Sequence, residues 1–318
     1  MGPAWAQRAD GVPTASIGSA EHPRAVSDFD FRFGGIARLY GAASLARFRA
    51  AHVMVVGLGG VGSWAAESLA RSGVGRLSLV DLDEVCVSNI NRQLHALDST
   101  VGRPKVEVMA ERIRDLSPET RVEARIEFFT AETASRLLGL EDAPGSDGRP
   151  DLVIDAIDAL GNKVRLIALC HAARIPLVVC GGAGGRRDPT AVRLSDLALV
   201  THDRLLGEVR KRLRREHGFS RTARKLRIDC VHSAEAPVFP DGAGEVCAAP
   251  QAPPDGVPLR LNCQSGYGSA THVTGAFGFA AAARALARLA VPVAAPAADR
   301  TNADGETPAN AIGRTGDA

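Results

Sequence analysis

The chain has 318 residues, a formal net charge of +2, 45% hydrophobic and 23% charged residues. That length and apolar content suit one large α/β domain or two modest ones and exclude a wholly disordered chain. Aromatics are only 4%, so the core must be built mainly from Ala, Val, Leu and Ile. Cys86, Cys170, Cys180, Cys230, Cys247 and Cys263 form no Cys-x-x-Cys pair. This argues against a zinc ribbon and, at such wide spacing, against a disulfide framework.

Residues 1–28 lack a basic start followed by an apolar stretch, so they are expected to be a disordered extension rather than a secretory signal. Residues 52–56 are an apolar run ending in glycines, which predicts a buried strand entering a turn. A helix is expected over 61–71, a second buried strand over 77–80, a helix over 103–116 and a strand over 121–128. Residues 151–154, 159–174 and 176–180 repeat strand, helix, strand. This alternation predicts a doubly wound, Rossmann-like α/β fold: a mostly parallel sheet with helices on both faces and a C-terminal extension packed around it. Residues 141–150 and 240–258 read as loops rich in Gly and Pro, and the chain from 291 onward as a disordered tail. The apolar stretch 275–297 is mostly alanine and is interrupted by Arg284 and Arg288, which predicts a packed amphipathic helix, not a membrane span. The expected compartment is the cytoplasm. One folded domain is therefore expected over 29–290.

Gly57-Leu58-Gly59-Gly60-Val61-Gly62 follows the first strand and opens the first helix of this alternation. Glycines there let the backbone turn tightly and approach a phosphate with no Cβ in the way. The helix start behind them offers free N–H groups to an anion. Asp81 closes the next strand, about 20 residues on, where a carboxylate can accept hydrogen bonds from ribose hydroxyls. NAD, FAD and ATP all fit such a loop, so a nicotinamide-dependent oxidoreductase is open at this point.

The residues after Asp81 shift the balance. The run 82–93 contains Asn89, Arg92 and Gln93, and Lys105 follows at the start of the next expected helix. The strand 151–154 runs into Asp155-Ala156-Ile157-Asp158, and such strand ends face the crevice where α/β sheets bind ligands. A dehydrogenase has no need of an arginine and a lysine here. Attack at the α-phosphate of ATP does, because charge builds on the phosphate oxygens and the departing pyrophosphate. Asp158 can hold Mg²⁺. Each residue alone would be an ordinary surface charge; their joint placement behind a glycine loop carries the inference of an adenylating enzyme.

Residues 31 to about 289 resemble the bacterial family related to ubiquitin-activating enzymes, which includes the activators of small sulfur-carrier proteins. Arg32-Phe33-Gly34-Gly35-Ile36-Ala37-Arg38-Leu39-Tyr40-Gly41, Ile154-Asp155-Ala156-Ile157-Asp158 and Gly181-Gly182-Ala183-Gly184-Gly185 look like its tRNA threonylcarbamoyladenosine dehydratase branch. The resemblance implies that Gly57, Gly59, Gly60 and Gly62 line the phosphates and Asp81 binds the ribose. It implies that Asn89, Arg92, Gln93 and Lys105 grip the triphosphate and that Asp158 holds the metal. Arg92, Lys105 and Asp158 are then the catalytic set, with ATP and Mg²⁺ as cofactors. A homodimer, and a cysteine-desulfurase or sulfur-acceptor partner, are also implied. Sulfur-carrier activators carry an N-terminal Arg-Tyr-x-Arg-Gln segment whose second arginine reaches the partner subunit's ATP. Gly35 stands in that place here, leaving Arg32 or Arg38 as substitutes. That departure and the missing zinc motif favour the tRNA branch.

The implied reaction has two steps on tRNA carrying threonylcarbamoyladenosine. Its threonyl carboxylate attacks the α-phosphate of ATP, and its carbamoyl oxygen then attacks the activated carbonyl and expels AMP. The nucleophile lies in the substrate, so Cys230 and Cys263 are read as structural. His95, His171 and His232 lack metal-ligand spacing and are read the same way. Residues 204–227 hold ten Lys or Arg against Glu208 and Glu216, and subtracting that +8 from the overall +2 leaves −6 elsewhere. A lone charge run is normally a solvated face; beside the resemblance it points to nucleic acid. The rival readings are an adenylyltransferase for a ubiquitin-like sulfur carrier, a nicotinamide-dependent oxidoreductase, and a non-catalytic RNA-binding relative.

Overall fold

Short apolar runs flanked by amphipathic helices can bury themselves together only as a sheet covered on both faces. The computed structural model describes residues 28–141, 148–241, 244–248 and 267–292. Two helices, α1 (Asp28–Tyr40) and α2 (Ala42–Ala50), precede β1 (His52–Val56), α3 (Gly62–Ala70), β2 (Arg76–Val80), α4 (Lys105–Leu116) and β3 (Arg121–Arg125). A short α5 (Ala134–Leu137) leads to β4 (Leu152–Asp155), α6 (Leu160–Ala173) and β5 (Leu177–Cys180). Then come β6 (Val192–Asp196), α7 (Arg204–Glu216), β7 (Asp229–Ser233), a two-strand ribbon of β8 (Phe239–Pro240) and β9 (Val246–Cys247), and α8 (Thr271–Leu289).

Seven strands form one sheet in the order β3-β2-β1-β4-β5-β7-β6, and every pair is parallel except β6 with β7. The doubly wound, mostly parallel expectation therefore holds. β1 and β4 are buried along their whole length, as central parallel strands covered on both faces should be. β1 divides its residues between two layers. Val53 and Val55 pack with α3, α4 and α8, while Met54 and Val56 pack with α5 and α6 on the other face.

Several expected boundaries move. The strand expected over 121–128 ends at Arg125, because residues 126–129 leave the sheet and Phe128 and Phe129 turn to the cavity described below. The alanine-rich helix starts at Thr271 and stops at Leu289. Part of the loop expected over 240–258 pairs as β9 with β8. α1, α2, β6 and β7 lie outside the elements expected from the sequence. The disorder expected at 1–28 and from 291 onward lies almost wholly outside the described residues.

Candidate active site

The chain leaves β1 toward β2 and β3 on one side and returns to β4 on the other. The carboxyl ends of neighbouring strands then feed loops in opposite directions, which opens a crevice between β1 and β4. Gly57 follows β1 with a φ of 91°. A Cβ on it would stand 2.8 Å from the carbonyl oxygen of Ala156, after β4. Only glycine satisfies both the left-handed backbone and that close approach.

The crevice widens into a cavity of about 830 Å³, within the range of sites that enclose a small-molecule ligand. Gly57, Gly59 and Gly60 line it from the loop, and Asp81 from the end of β2. Asn89, Arg92 and Gln93 come from the segment after β2, Lys105 from the first residue of α4, and Asp158 from the turn after β4. Gly62 alone of the expected residues is not in the lining. A Cβ there would lie 1.8 Å from the Gly57 carbonyl oxygen, so glycine at 62 lets α3 start close against the loop.

Each polar group has a definite environment. Asp81 accepts from the Leu58 N–H at 2.6 Å through Oδ2 and from the Asp83 N–H at 2.9 Å through Oδ1. It thus ties the glycine loop to the end of β2, with lone pairs left for a ribose. Burial raises the Asp81 carboxyl above its usual value, opposed by the Lys105 charge and these two N–H groups. Lys105 is buried, and its Nζ donates to Asp83 Oδ2 at 2.7 Å. Arg92 Nη1 donates to the Ser88 carbonyl at 2.7 Å and to Asn91 Oδ1 at 3.0 Å. The Arg92 carbonyl accepts from Trp64 Nε1 and Thr274 Oγ1, which fixes the backbone behind that side chain. Asn89 uses Oδ1 to accept from the Cys86 N–H at 3.0 Å, an internal turn that fixes its amide. Gln93 Oε1 is buried with no hydrogen-bond partner among the described residues. A buried amide left unpaired is costly, and in a cavity wall it invites a ligand donor.

Asp158 is exposed at the cavity. Among the described residues no three His, Cys, Asp or Glu side chains converge as a metal site. One carboxylate plus substrate phosphates and water is nonetheless the usual donor set for Mg²⁺ at a nucleotide, so Asp158 fits that metal with ATP present.

Two arrangements escaped the sequence reading. Asp83 pairs with Lys105. Beneath the turn that bears Asp158, Lys163 and Asp155 are both fully buried and paired at 2.9 Å. Lys163 Nζ also donates to the Ile157 carbonyl at 2.9 Å, while Asp155 Oδ1 accepts from the Ile157 N–H at 3.1 Å. Both backbone groups of Ile157, the residue before Asp158, are thereby held by one buried ion pair. The lysine stands eight residues past its partner, across a strand-to-helix turn, where no helical or strand spacing signals a contact.

Cys230 is buried with its thiol pushed well above the usual value, foremost by burial, which suits its structural reading. Cys263 lies outside the described residues. Arg32 donates to Asp28 and to the Leu116 carbonyl of its own chain, whereas Arg38 is exposed and makes no hydrogen bond or ion pair among the described residues. In the basic segment, Arg210 turns inward to the carbonyls of Leu197 and Val200. It is engaged by the protein itself and does not belong to a solvent-facing positive surface.

A model of the ThiF family matches residues 35–290. The chain is 48% identical over 259 residues to the tRNA threonylcarbamoyladenosine dehydratase of Escherichia coli, covering 81% of this chain and 93% of that protein. It is 43% identical over 265 residues to the tRNA threonylcarbamoyladenosine dehydratase of Haemophilus influenzae, covering 83% and 95%. Among solved structures, it is similar to the E. coli enzyme in complex with ATP, with a TM-score of 0.70 and 43% identity, over 84% of this chain and 97% of that one.

Proposed function

The chain belongs to the ThiF family, and we propose that it is an ATP-dependent tRNA threonylcarbamoyladenosine dehydratase, acting through the cavity between β1 and β4. The observation that carries this reading is the meeting of Arg92, Lys105 and Asp158 with the glycine loop around one cavity, in a chain similar along most of its length to enzymes of that name.

The chemistry follows from the charges. The threonyl carboxylate of the modified base attacks the α-phosphate of ATP, forming an acyl-adenylate and releasing pyrophosphate. The loop N–H groups at Gly57, Gly59 and Gly60 receive the phosphates, and Asp81 holds the ribose. Arg92 and Lys105 stabilise charge on the phosphate oxygens as it develops. Lys105 is set for this by Asp83 and by burial, which weakens competition from water. Mg²⁺, held by Asp158, would neutralise charge on the triphosphate. The carbamoyl group of the same base then closes on the activated carbonyl and AMP leaves, so the base loses one water overall. Ring closure is intramolecular, and proximity supplies much of its rate. No protein thiol takes part.

The test is mass spectrometry of nucleosides from modified tRNA incubated with the protein and ATP. A nucleoside lighter by one water, with AMP released, is expected. ATP–pyrophosphate exchange that requires a small carrier protein instead, with the nucleoside unchanged, would replace this reading by the sulfur-carrier one. The homodimer is part of the same proposal: Phe31 and Leu39 on α1 are 78% and 74% exposed, two large apolar side chains suited to a second copy. The cytoplasmic location and a cysteine-desulfurase or sulfur-acceptor partner also belong to it. No helix of the described residues is long and apolar enough to cross a membrane.

A further inference from the structure

The positive charge of residues 204–227 is not spread evenly. α7 begins at the carboxyl edge of the sheet, where Asp203 accepts from the Gly182 N–H at 2.9 Å beside the cavity. It ends at the opposite edge, where the chain enters β7, parallel to β5. A helix of 13 residues spans about 20 Å. Along its middle the cations are neutralised or engaged. Lys211 pairs with Glu208, Arg212 and Arg215 pair with Glu216, and Arg214 donates to the Ser220 carbonyl.

Both ends are bare. Arg204 opens α7 next to Leu205, a cavity residue, and Arg187 follows the Gly181–Gly184 wall. At the far end stand Arg221, Arg224, Lys225 and Arg227. All six are exposed, and none has a side-chain hydrogen bond or ion pair among the described residues. The distal loop is nevertheless held in place: Asp196, at the end of β6, accepts from the backbone N–H groups of Leu226 and Arg227 at 2.8 and 2.7 Å. Four exposed cations without a hydrogen-bonded or ion-paired partner, carried on an anchored loop, suit an external polyanion.

We propose that the RNA substrate lies along α7, with its reactive base in the cavity beneath Arg187 and Arg204 and its stem phosphates on Arg221, Arg224, Lys225 and Arg227. This rests on the reading of the substrate as tRNA, and adds where the body of that molecule sits. An RNA stem is the partner that fits, because its backbone repeats negative charge over the distance that separates the two bare ends and is recognised through phosphates and shape.

The test replaces Arg221, Arg224, Lys225 and Arg227 together by Gln, beside a charge-neutral control carrying Glu208→Gln and Lys211→Gln, which removes one mid-helix ion pair whole. Each is assayed on full-length modified tRNA and on its anticodon loop with the stem cut short. For the distal variant we expect a KM for full-length tRNA raised at least about tenfold, and a salt dependence of binding flatter by about one in log–log slope per lost contact. Its ATP affinity, melting temperature and activity on the shortened loop should match the wild type, and the control should match it throughout. An unchanged KM and salt slope, or an equal loss on the shortened loop, overturns the proposed path. A wild-type protein that neither binds nor converts modified tRNA overturns the substrate reading and the path with it.

Discussion

Lys105 reaches the cavity from the start of α4 and Asp158 from the turn after β4, on either side of the phosphate loop. On the proposed reading their effect, with that of Arg92, falls on the first chemical step, where phosphate charge develops. Alanine at any of the three should slow AMP release from ATP and modified tRNA by roughly 10²- to 10³-fold, the usual cost of one preorganised charge contact. Cys230→Ala should leave turnover near wild type, because the ring-closing nucleophile is in the substrate. Loss of turnover in a folded Cys230→Ala protein, with Lys105→Ala active, would bring back a covalent thioester route. Lys163 belongs to the same scale. Lys163→Met leaves the Asp155 carboxylate buried and unpaired, which should cost about 3–5 kcal/mol in urea unfolding. Adding Asp155→Leu should recover most of that loss, since an apolar pair replaces the ion pair. A single variant as stable as the wild type would show that the pair does not hold the turn.

At the scale of elements, α8 explains how an alanine-rich stretch becomes core. It lies across α3, and Ala281, Ala282, Ala285 and Phe277 are fully buried in the same layer as β1. The backbones meet at Gly278, where a Cβ would come within 2.6 Å of the Val61 carbonyl oxygen and 2.7 Å of Trp64 Cβ. Gly278→Ala must push the helices apart and should destabilise by about 1–3 kcal/mol, as overpacking does. Gly275, one turn earlier, has only side-chain atoms at 3.8 Å or beyond around such a Cβ. Gly275→Ala should therefore be neutral or stabilising by up to about 1 kcal/mol, from helix propensity. Denaturant midpoints of the two variants check the contrast; equal shifts would remove Gly278 as the contact that sets the helix spacing.

Over the whole molecule, acid should weaken the fold. His52 and His95 are buried, and their pKa values fall to about 4, foremost by burial and then by the charges of Arg76 and Lys105 respectively. In the unfolded chain a histidine titrates near pH 6.5. Between about pH 6.5 and 4 the unfolded state thus binds more protons, and stability falls as pH drops through that window. Each ring contributes up to about 3 kcal/mol to the loss. Neither His95 ring nitrogen has a partner among the described residues, so His95→Leu should keep the fold at neutral pH and make the decline shallower. Unfolding free energies measured across that window decide it, and an unaltered slope would mean that His95 does not carry the effect.

The sheet, and the arrival of the glycine loop, Asp81, Arg92, Lys105 and Asp158 at one crevice, were legible in the sequence because they follow from local strand, turn and helix signals. A buried parallel strand is a short apolar run, a phosphate turn needs glycine, and strand order in the chain carries the strand ends to one crevice. What the tertiary structure alone decided depends on residues far apart in the chain or across a turn. Gly62 starts α3 hard against the Gly57 carbonyl, a close approach that the string of glycines does not show. Asp83 and Lys105, 22 residues apart, meet because β2 ends beside the start of α4. Lys163 reaches Asp155 because α6 folds back beneath the turn after β4. The run of basic residues looked uniform as a string; only the folded helix matched Lys211, Arg212 and Arg215 to glutamates and turned Arg210 inward. Charge counts follow from sequence alone, but which charges face solvent unpaired is fixed by the distances that folding sets.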